Sequence, residues 1–332
     1  MKFSFSSFVN SPRRTVATGC VLAFLTAIAL SFILTYSVGA EAAIPHSKTI
    51  VVRLAKNSGR GVYVVEQELR FAGPEGIVLK ERWLVQNSDV MRLIVQSPKQ
   101  DLKQGGDFRW DAVYREGRRT ATSPAAPLEP ASEPGRLSEP GKETKTTNTT
   151  GEFFEPYLFH RSSAKFLDAF IRNKILPASA GRDRPRIANI NTYKPAPEQA
   201  VRLGRTGGVV AWVFGEPTPI DNATPFPGAW IEQDSFLLRK LRLLSQAEMV
   251  LSNHANSGGG LKLAREQSII WKSNNPADTE PRSVTIRVTS VKNLPDKSLA
   301  PQFLTSSISA SEIKMARLPD APIVREFYSR FR

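Results

Sequence analysis

From residue 62 onward the side chains alternate. In VYVVEQELRF, residues 62–71, Tyr63, Val65, Leu69 and Phe71 fall on one side, and Glu66, Glu68 and Arg70 on the other. Successive side chains of a strand point to opposite faces, so this run reads as a strand with one apolar and one wet face. IVLKERWLVQ, VMRLIVQ and FRWDAVYRE repeat the pattern, the last setting Phe108, Trp110, Ala112 and Tyr114 against Arg109, Asp111, Val113 and Arg115. Gly73-Pro74, Asn87-Ser88-Asp89 and Gly105-Gly106 separate them as turn signals. Long strands joined by short turns make an antiparallel meander, and alternation of this kind fits a sheet covered on one face only.

The pattern stops at Thr122. Residues 123–150, SPAAPLEPASEPGRLSEPGKETKTTNTT, hold no aromatic and no β-branched apolar residue. Such a stretch cannot bury enough surface to offset its ordering entropy, and it is expected to be a disordered insertion. The period then changes. In SSAKFLDAFIRNKILP, Phe166 and Phe170, and Leu167 and Ile171, recur four apart, with Ser162 or Ser163 as N-cap and Pro177 at the end, which predicts an amphipathic helix over residues 163–176. Strand signals return in GGVVAWVFGE, in LKLAREQSIIW and in SVTIRVTSVKNL, and LPDAPIVREFYSRFR predicts a short closing helix with Ile323, Phe327 and Phe331 on one side. Between them, GAWIEQDSFLLRKL, residues 228–241, reads as two strands about a polar turn. Strict alternation would put Leu237 and Leu241 on one face, and Phe236 and Leu238 on the other, leaving both faces apolar.

The first forty residues set the address. Residues 1–14 carry Lys2, Arg13 and Arg14 and no acid; an apolar run follows over residues 16–40, with small-residue cleavage sites at Val38-Gly39-Ala40 and Ala40-Glu41-Ala42. This is the pattern of a secretory signal, with an uncleaved membrane anchor as the alternative. Cleavage would leave 332 − 40 = 292 residues, with 45 − 3 = 42 basic and 31 acidic groups, a charge of +11. The only cysteine, Cys20, lies within that run, so the exported part has no disulfide and no thiolate metal site. Its bases are dispersed among acids, which argues against nucleic acid as a partner and leaves either a solvated basic surface or an attraction to anionic envelope surfaces.

No catalytic constellation stands out. His46, His160 and His254 lie at no metal-ligand spacing. Ser162-Ser163-Ala164-Lys165 matches S-x-x-K, and Arg205-Thr206-Gly207 imitates a companion box, but only about forty residues separate them and no S-x-N box intervenes. A helix N-cap followed by a lysine accounts for the serine. Glu66, Glu68, Glu81 and Asp111 all lie on strands and could pair for acid–base work, yet the solvated face of an alternating strand is the commoner place for such residues. No metal or other cofactor is indicated, and a binding function is favoured over an enzyme, with an envelope hydrolase as the remaining option.

Phe108-Arg109-Trp110 on one strand, Trp212-Val213-Phe214-Gly215 leading into Trp230-Ile231-Glu232, then Phe236 and Arg239-Lys240-Leu241, set among long antiparallel strands and amphipathic helices, resemble the bacterial outer-membrane lipoprotein-sorting carriers, the Lol-type family. The resemblance spans most of residues 50–332. It implies a mainly β fold with helices (α+β), a curved antiparallel sheet or incomplete β-barrel lidded by amphipathic helices. Residues 1–40 would be the signal or anchor, 41–122 the first half of this domain, 123–150 the insertion, and 151–332 a helix, the second half and the closing helix. It also implies a non-enzymatic periplasmic carrier that sequesters lipid or lipoprotein acyl chains, with envelope membrane proteins as further partners. The same fold with its cavity filled by its own side chains would instead be an envelope interaction or sensor module. The resemblance carries over Arg109. The other candidate ligand contacts, chosen from the aromatic alternation, are Trp83, Trp110, Tyr114, Phe166, Phe170, Trp212, Phe214, Trp230 and Leu238, all of which core packing would explain equally well.

Overall fold

The computed structural model describes residues 44–73, 76–96, 109–121, 152–178, 180, 201–222, 224–276, 278–294, 319 and 321–332. The expected signal segment and the 123–150 insertion lie outside the described residues. The chain divides into two compact units, Met1–Ile44 and Pro45–Arg332, and the sheet and its helices belong to the second.

Twelve strands form one antiparallel sheet: β1 (Val62–Phe71), β2 (Val78–Asn87), β3 (Val90–Gln96), β4 (Arg109–Arg115), β5 (Arg118–Ala121), β6 (Val201–Thr206), β7 (Val209–Phe214), β8 (Gly228–Glu232), β9 (Leu238–Arg242), β10 (Glu248–Asn256), β11 (Lys262–Trp271) and β12 (Arg282–Leu294). Their order is β5-β4-β3-β2-β1-β12-β11-β10-β9-β8-β7-β6, so two meanders are joined at mid-sheet by β1 and β12. The sheet is not closed: its edges are β5 and β6, the two strands flanking the middle of the sequence. That middle stretch carries α2 (Glu155–Phe159) and α3 (Ser163–Arg172), while α1 (Ser47–Lys56) precedes β1 and α4 (Pro322–Phe331) follows β12. The expected curved antiparallel sheet with helices on one face is the architecture found.

Alternation places the core. Tyr63, Val65, Leu69 and Phe71 of β1 face inward beside Leu79, Trp83 and Val85 of β2, and across the junction beside Val284, Ile286 and Val288 of β12. The second hairpin departs from strict alternation. Trp230 pairs with Lys240 but Ile231 pairs with Leu238, so one residue, Arg239, is bulged out of register. A bulge shifts side-chain parity by one, and Leu238 and Leu241, three apart, both enter the core. Phe236 is not on the strand at all: it sits in the turn at φ 54°, with the Arg53 guanidinium of α1 4.8 Å from its ring centre. The second apolar face foreseen from the sequence is thus the product of a bulge and a turn.

The helices complete the core. Phe166, Leu167, Ala169 and Phe170 of α3 are buried. The helix ends at Arg172, short of the expected 176. Lys174 takes the left-handed conformation (φ 56°), its N–H donating to the Ile171 carbonyl (3.0 Å) and that of Ile175 to the Phe170 carbonyl (2.8 Å). This is a Schellman stop, sealed by contact between buried Ile175 and Phe170. In α4, Pro322 begins the helix, as its missing N–H and fixed φ allow, and Val324, Phe327, Tyr328 and Phe331 are buried. Sequence reasoning passed over α1, where the His46 side chain accepts from the Lys48 N–H at the N-cap. Among the described residues no helix is long and apolar enough to cross a membrane.

Candidate functional site

The helical layer meets the sheet in two chemically different ways. Under α3 the contact is aromatic. Phe170 packs edge-on against Phe214 of β7 (5.7 Å between ring centres) and is stacked on Tyr157 of α2 (5.9 Å), while Phe166 contacts the His160 ring (5.0 Å). Phe214 supplies the sheet side of this contact, and Trp212, two residues before it on β7, is buried in the same core. The polar ties of α3 are few: the ion pair of Lys165 with Asp89 in the β2–β3 turn, the Asn173 amide on the Tyr157 hydroxyl, and that hydroxyl donating to the buried Ala169 carbonyl (3.4 Å).

Under α4 rings also meet the sheet, Phe327 against Phe71 of β1 (5.3 Å) and Trp271 of β11 (5.7 Å), but a buried charged network is added to them. Arg332, immediately after the helix, is wholly buried and forms ion pairs with Glu81 of β2 and Glu155 of α2. Glu81 also accepts from Gln67 (2.6 Å), from the indole N–H of Trp83 (3.1 Å) and from the Tyr328 hydroxyl (2.7 Å). Arg119 of β5 donates to the carbonyls of Tyr328 and Ser329. Glu81 was expected on a solvated strand face, but its parity with Leu79, Trp83 and Val85 turns it inward, where a carboxylate needs the cation that Arg332 brings. Burial holds the Glu155 carboxyl up at about 7, since it shares Arg332 with Glu81 and the second carboxylate adds to the push. The shared arginine is held firmly protonated by the same two acids. Glu155 Oε2 and Arg332 Nη2 are buried without a hydrogen-bond partner. A void of about 10 Å³ lies between α2 and the sheet, among Gln67, Trp83, Glu155 and Gln267, about enough for one water.

An open cleft of about 960 Å³ runs along the flank of α3. Its floor is apolar and buried: Phe153, Tyr157, Ala169 and Leu243, with His160. Its rim carries Asp89, Arg115, Glu116, Lys165, Asp168 and Arg172. The His160 ring is held neutral, its pKa brought down to about 4 by burial and then by the nearby Arg172 charge, and its Nδ1 has no partner.

The ten candidate contacts separate. Phe166, Phe170 and Phe214 gather under α3, and Trp212 and Leu238 lie in the same continuous core. Trp83 and Tyr114 belong to the charged end, ring against ring at 5.3 Å. Trp230 points to the opposite face, because its neighbours Ala229 and Ile231 point inward, and its ring is covered by Lys240 (4.9 Å) and Arg242 (5.3 Å). Arg109 and Trp110 lie on β4, but their side chains are outside the described residues. The sequence pattern set Glu81 aside as a solvated acid and His160 as a histidine without a partner, and it gave no notice of Glu155 or Arg332. For Glu81 a signal existed, an acid in phase with three apolar residues. For Arg332 there was none, since nothing local marks a terminal arginine as buried.

The histidines stay apart: His46 caps α1, His160 lines the cleft, and His254 contacts Arg239 (3.2 Å) with its pKa brought down to about 4, by burial and then by that arginine. Among the described residues no group of three or more His, Cys, Asp or Glu side chains could hold a metal.

No family model and no curated protein matches the chain. Among solved structures it is similar to a LolA superfamily protein from Nitrosomonas europaea, at 14% identity and TM-score 0.40, over 76% of this chain and 97% of that one. It is also similar to a putative outer membrane lipoprotein-sorting protein domain from Vibrio parahaemolyticus, at 12% identity and TM-score 0.35, over 77% of this chain and 96% of that one. A third, a DUF1329 family protein from Desulfovibrio piger, has 10% identity and TM-score 0.32, with 79% and 97% covered.

Proposed function

We propose that this protein is a non-enzymatic carrier of lipid or lipoprotein acyl chains, resident in the periplasm, in which α3 forms a lid and the chains lie between that lid and the sheet. The observation that carries the reading is the aromatic seat of α3. Its buried side chains meet the sheet without a buried ion pair, its polar ties are few, and an open cleft already reaches Ala169 on α3 and Tyr157 of α2 beside it. Lifting α3 would uncover Phe214 and offer a sixteen-carbon chain roughly 10 kcal/mol of burial before ordering costs, at about 0.8 kcal/mol per methylene. The cleft, about 960 Å³, is of the size that small-molecule sites occupy. No proton transfer or covalent step is required of any residue.

A second reading is favoured by the small void: between α2 and the sheet there is room for about one water only, which suits an interaction or sensor module of the same fold that engages envelope proteins without a lipid. Titration with a fluorescent fatty acid and with an acylated peptide separates the two. The carrier reading expects saturable, micromolar or tighter binding that weakens when Phe214 is replaced by Ala. No binding of either probe at high micromolar concentration replaces it with the interaction module.

A further inference from the structure

The cleft beside α3 has a chemical character of its own, distinct from the aromatic seat it adjoins. Below, it is apolar. Around the rim, acids and bases of both signs are interleaved: three cations (Arg115, Lys165, Arg172) face four acids (Asp89, Glu116, Glu152, Asp168), a formal charge of 3 − 4 = −1. One of those acids, Glu152, already pairs with Arg330 from outside the cleft, which brings the local balance to about neutral. A ligand of a single sign would therefore meet as much repulsion as attraction here, whereas a ligand carrying both signs would meet complementary groups.

An unmet hydrogen-bonding demand lies buried behind the cleft lining. His160 is buried (6% exposed), lines the cleft, and leaves Nδ1 without a partner. Buried polar atoms of this kind are ordinarily satisfied. Burial and Arg172 keep the ring neutral, and its Nδ1 is shut off from the cleft, so Arg172 is the group beside it that can meet an anionic oxygen at the rim. Asp168 stands one helical turn before Arg172 on α3, so the two project from the same face of the helix, both exposed and both on the cleft.

We propose that the cleft is a headgroup site for a zwitterionic phospholipid, its phosphate set against Arg172 and its ammonium against Asp168, with the acyl chains continuing towards the apolar floor and the seat of α3. The site rests on the carrier reading for what lies beneath α3. The headgroup itself is specified by the rim, and the two can fail separately.

The test uses the full exported chain and water-soluble diheptanoyl lipids below their micellar concentration, titrated by calorimetry: a phosphatidylethanolamine against the anionic phosphatidylglycerol, with glycerophosphoethanolamine as the headgroup alone. The ethanolamine lipid should bind about fivefold or more tighter than the glycerol lipid, the scale expected of one or two solvent-exposed charge contacts. Arg172→Gln should weaken both lipids. Asp168→Asn should weaken only the ethanolamine lipid and so erase the preference. Both side chains are exposed on α3, so the variants are expected to fold as the parent does. Equal or tighter binding of the glycerol lipid, or a preference unchanged in Asp168→Asn, overturns the headgroup site even if fluorescent fatty acid still binds and the carrier reading stands. Saturable binding of glycerophosphoethanolamine without any binding of fatty acid supports the headgroup site while removing the carrier. Binding of none of these probes removes both.

Discussion

Both α3 and α4 seat aromatic rings on the one sheet, but only the α4 side adds a buried charged network, and that contrast suggests which part can move. Beneath α4, Arg332, Tyr328, Trp83 and Gln67 converge on Glu81, and a second carboxylate, Glu155, joins the arginine. Beneath α3, rings meet rings, with few polar ties to the rest of the molecule. Apolar contact is non-directional, so a displaced aromatic face can be re-covered by a ligand of similar character. A buried ion pair has no such substitute: separating it strands a charge away from water. The α4 side is therefore a fixed wall and the α3 side a replaceable one.

The largest effect should come from breaking the fixed wall. Arg332→Ala leaves Glu81 and Glu155 buried without their cation and is expected to cost about 3–5 kcal/mol in urea unfolding. A loss under about 1 kcal/mol would remove the distinction between the two walls. Next is Phe170→Ala, expected to cost about 3 kcal/mol, the low end for a buried phenylalanine because the adjoining open cleft lets neighbours relax. The same change should weaken fatty-acid binding. Stability lost with binding untouched would mark α3 as sealed core and no lid.

The two walls should also answer pH with opposite signs. Glu155, on the charged side, has its folded pKa raised from 4.5 to about 7, so the stability it allows is full below 4.5 and falls as pH rises through 7. His160, on the aromatic side, has its folded pKa lowered from 6.5 to about 4, so its contribution is full above 6.5 and falls as pH drops through 4. Relative to the parent, Glu155→Gln should gain about 2 kcal/mol as pH goes from 4.5 to 7, and His160→Gln about 2 kcal/mol as it goes from 6.5 to 4. Melting curves across pH 4–8 read both slopes, and slopes of the same sign would show that the two ends of α2 share one environment. The smallest effect is predicted for Lys165→Ala: its half-exposed pair with Asp89 should be worth about 0.5 kcal/mol or less. A loss above 1 kcal/mol in chemical denaturation would mean that α3 is pinned by charge after all.

The strands, and which side chains share a face, could be read from the sequence for a local reason. Period-two alternation in β1, β2 and β12 and the four-residue spacing of Phe166 and Phe170 are imposed by backbone geometry within each element, so they survive in the order of residues alone. The order even held the inward turn of Glu81, in phase with Leu79, Trp83 and Val85. Three features belong to the tertiary structure. The bulge at Arg239 arises from pairing between β8 and β9 and reverses the parity of everything after it. The junction of β1 with β12 brings together strands some two hundred residues apart, a pairing that no local pattern encodes. And Arg332 becomes the hub of a buried network because α4 docks where Glu81 and Glu155 already face inward. Burial of a charge depends on which partners the fold brings within reach, and that information lies in distance through space, which the sequence lists only as separation along the chain.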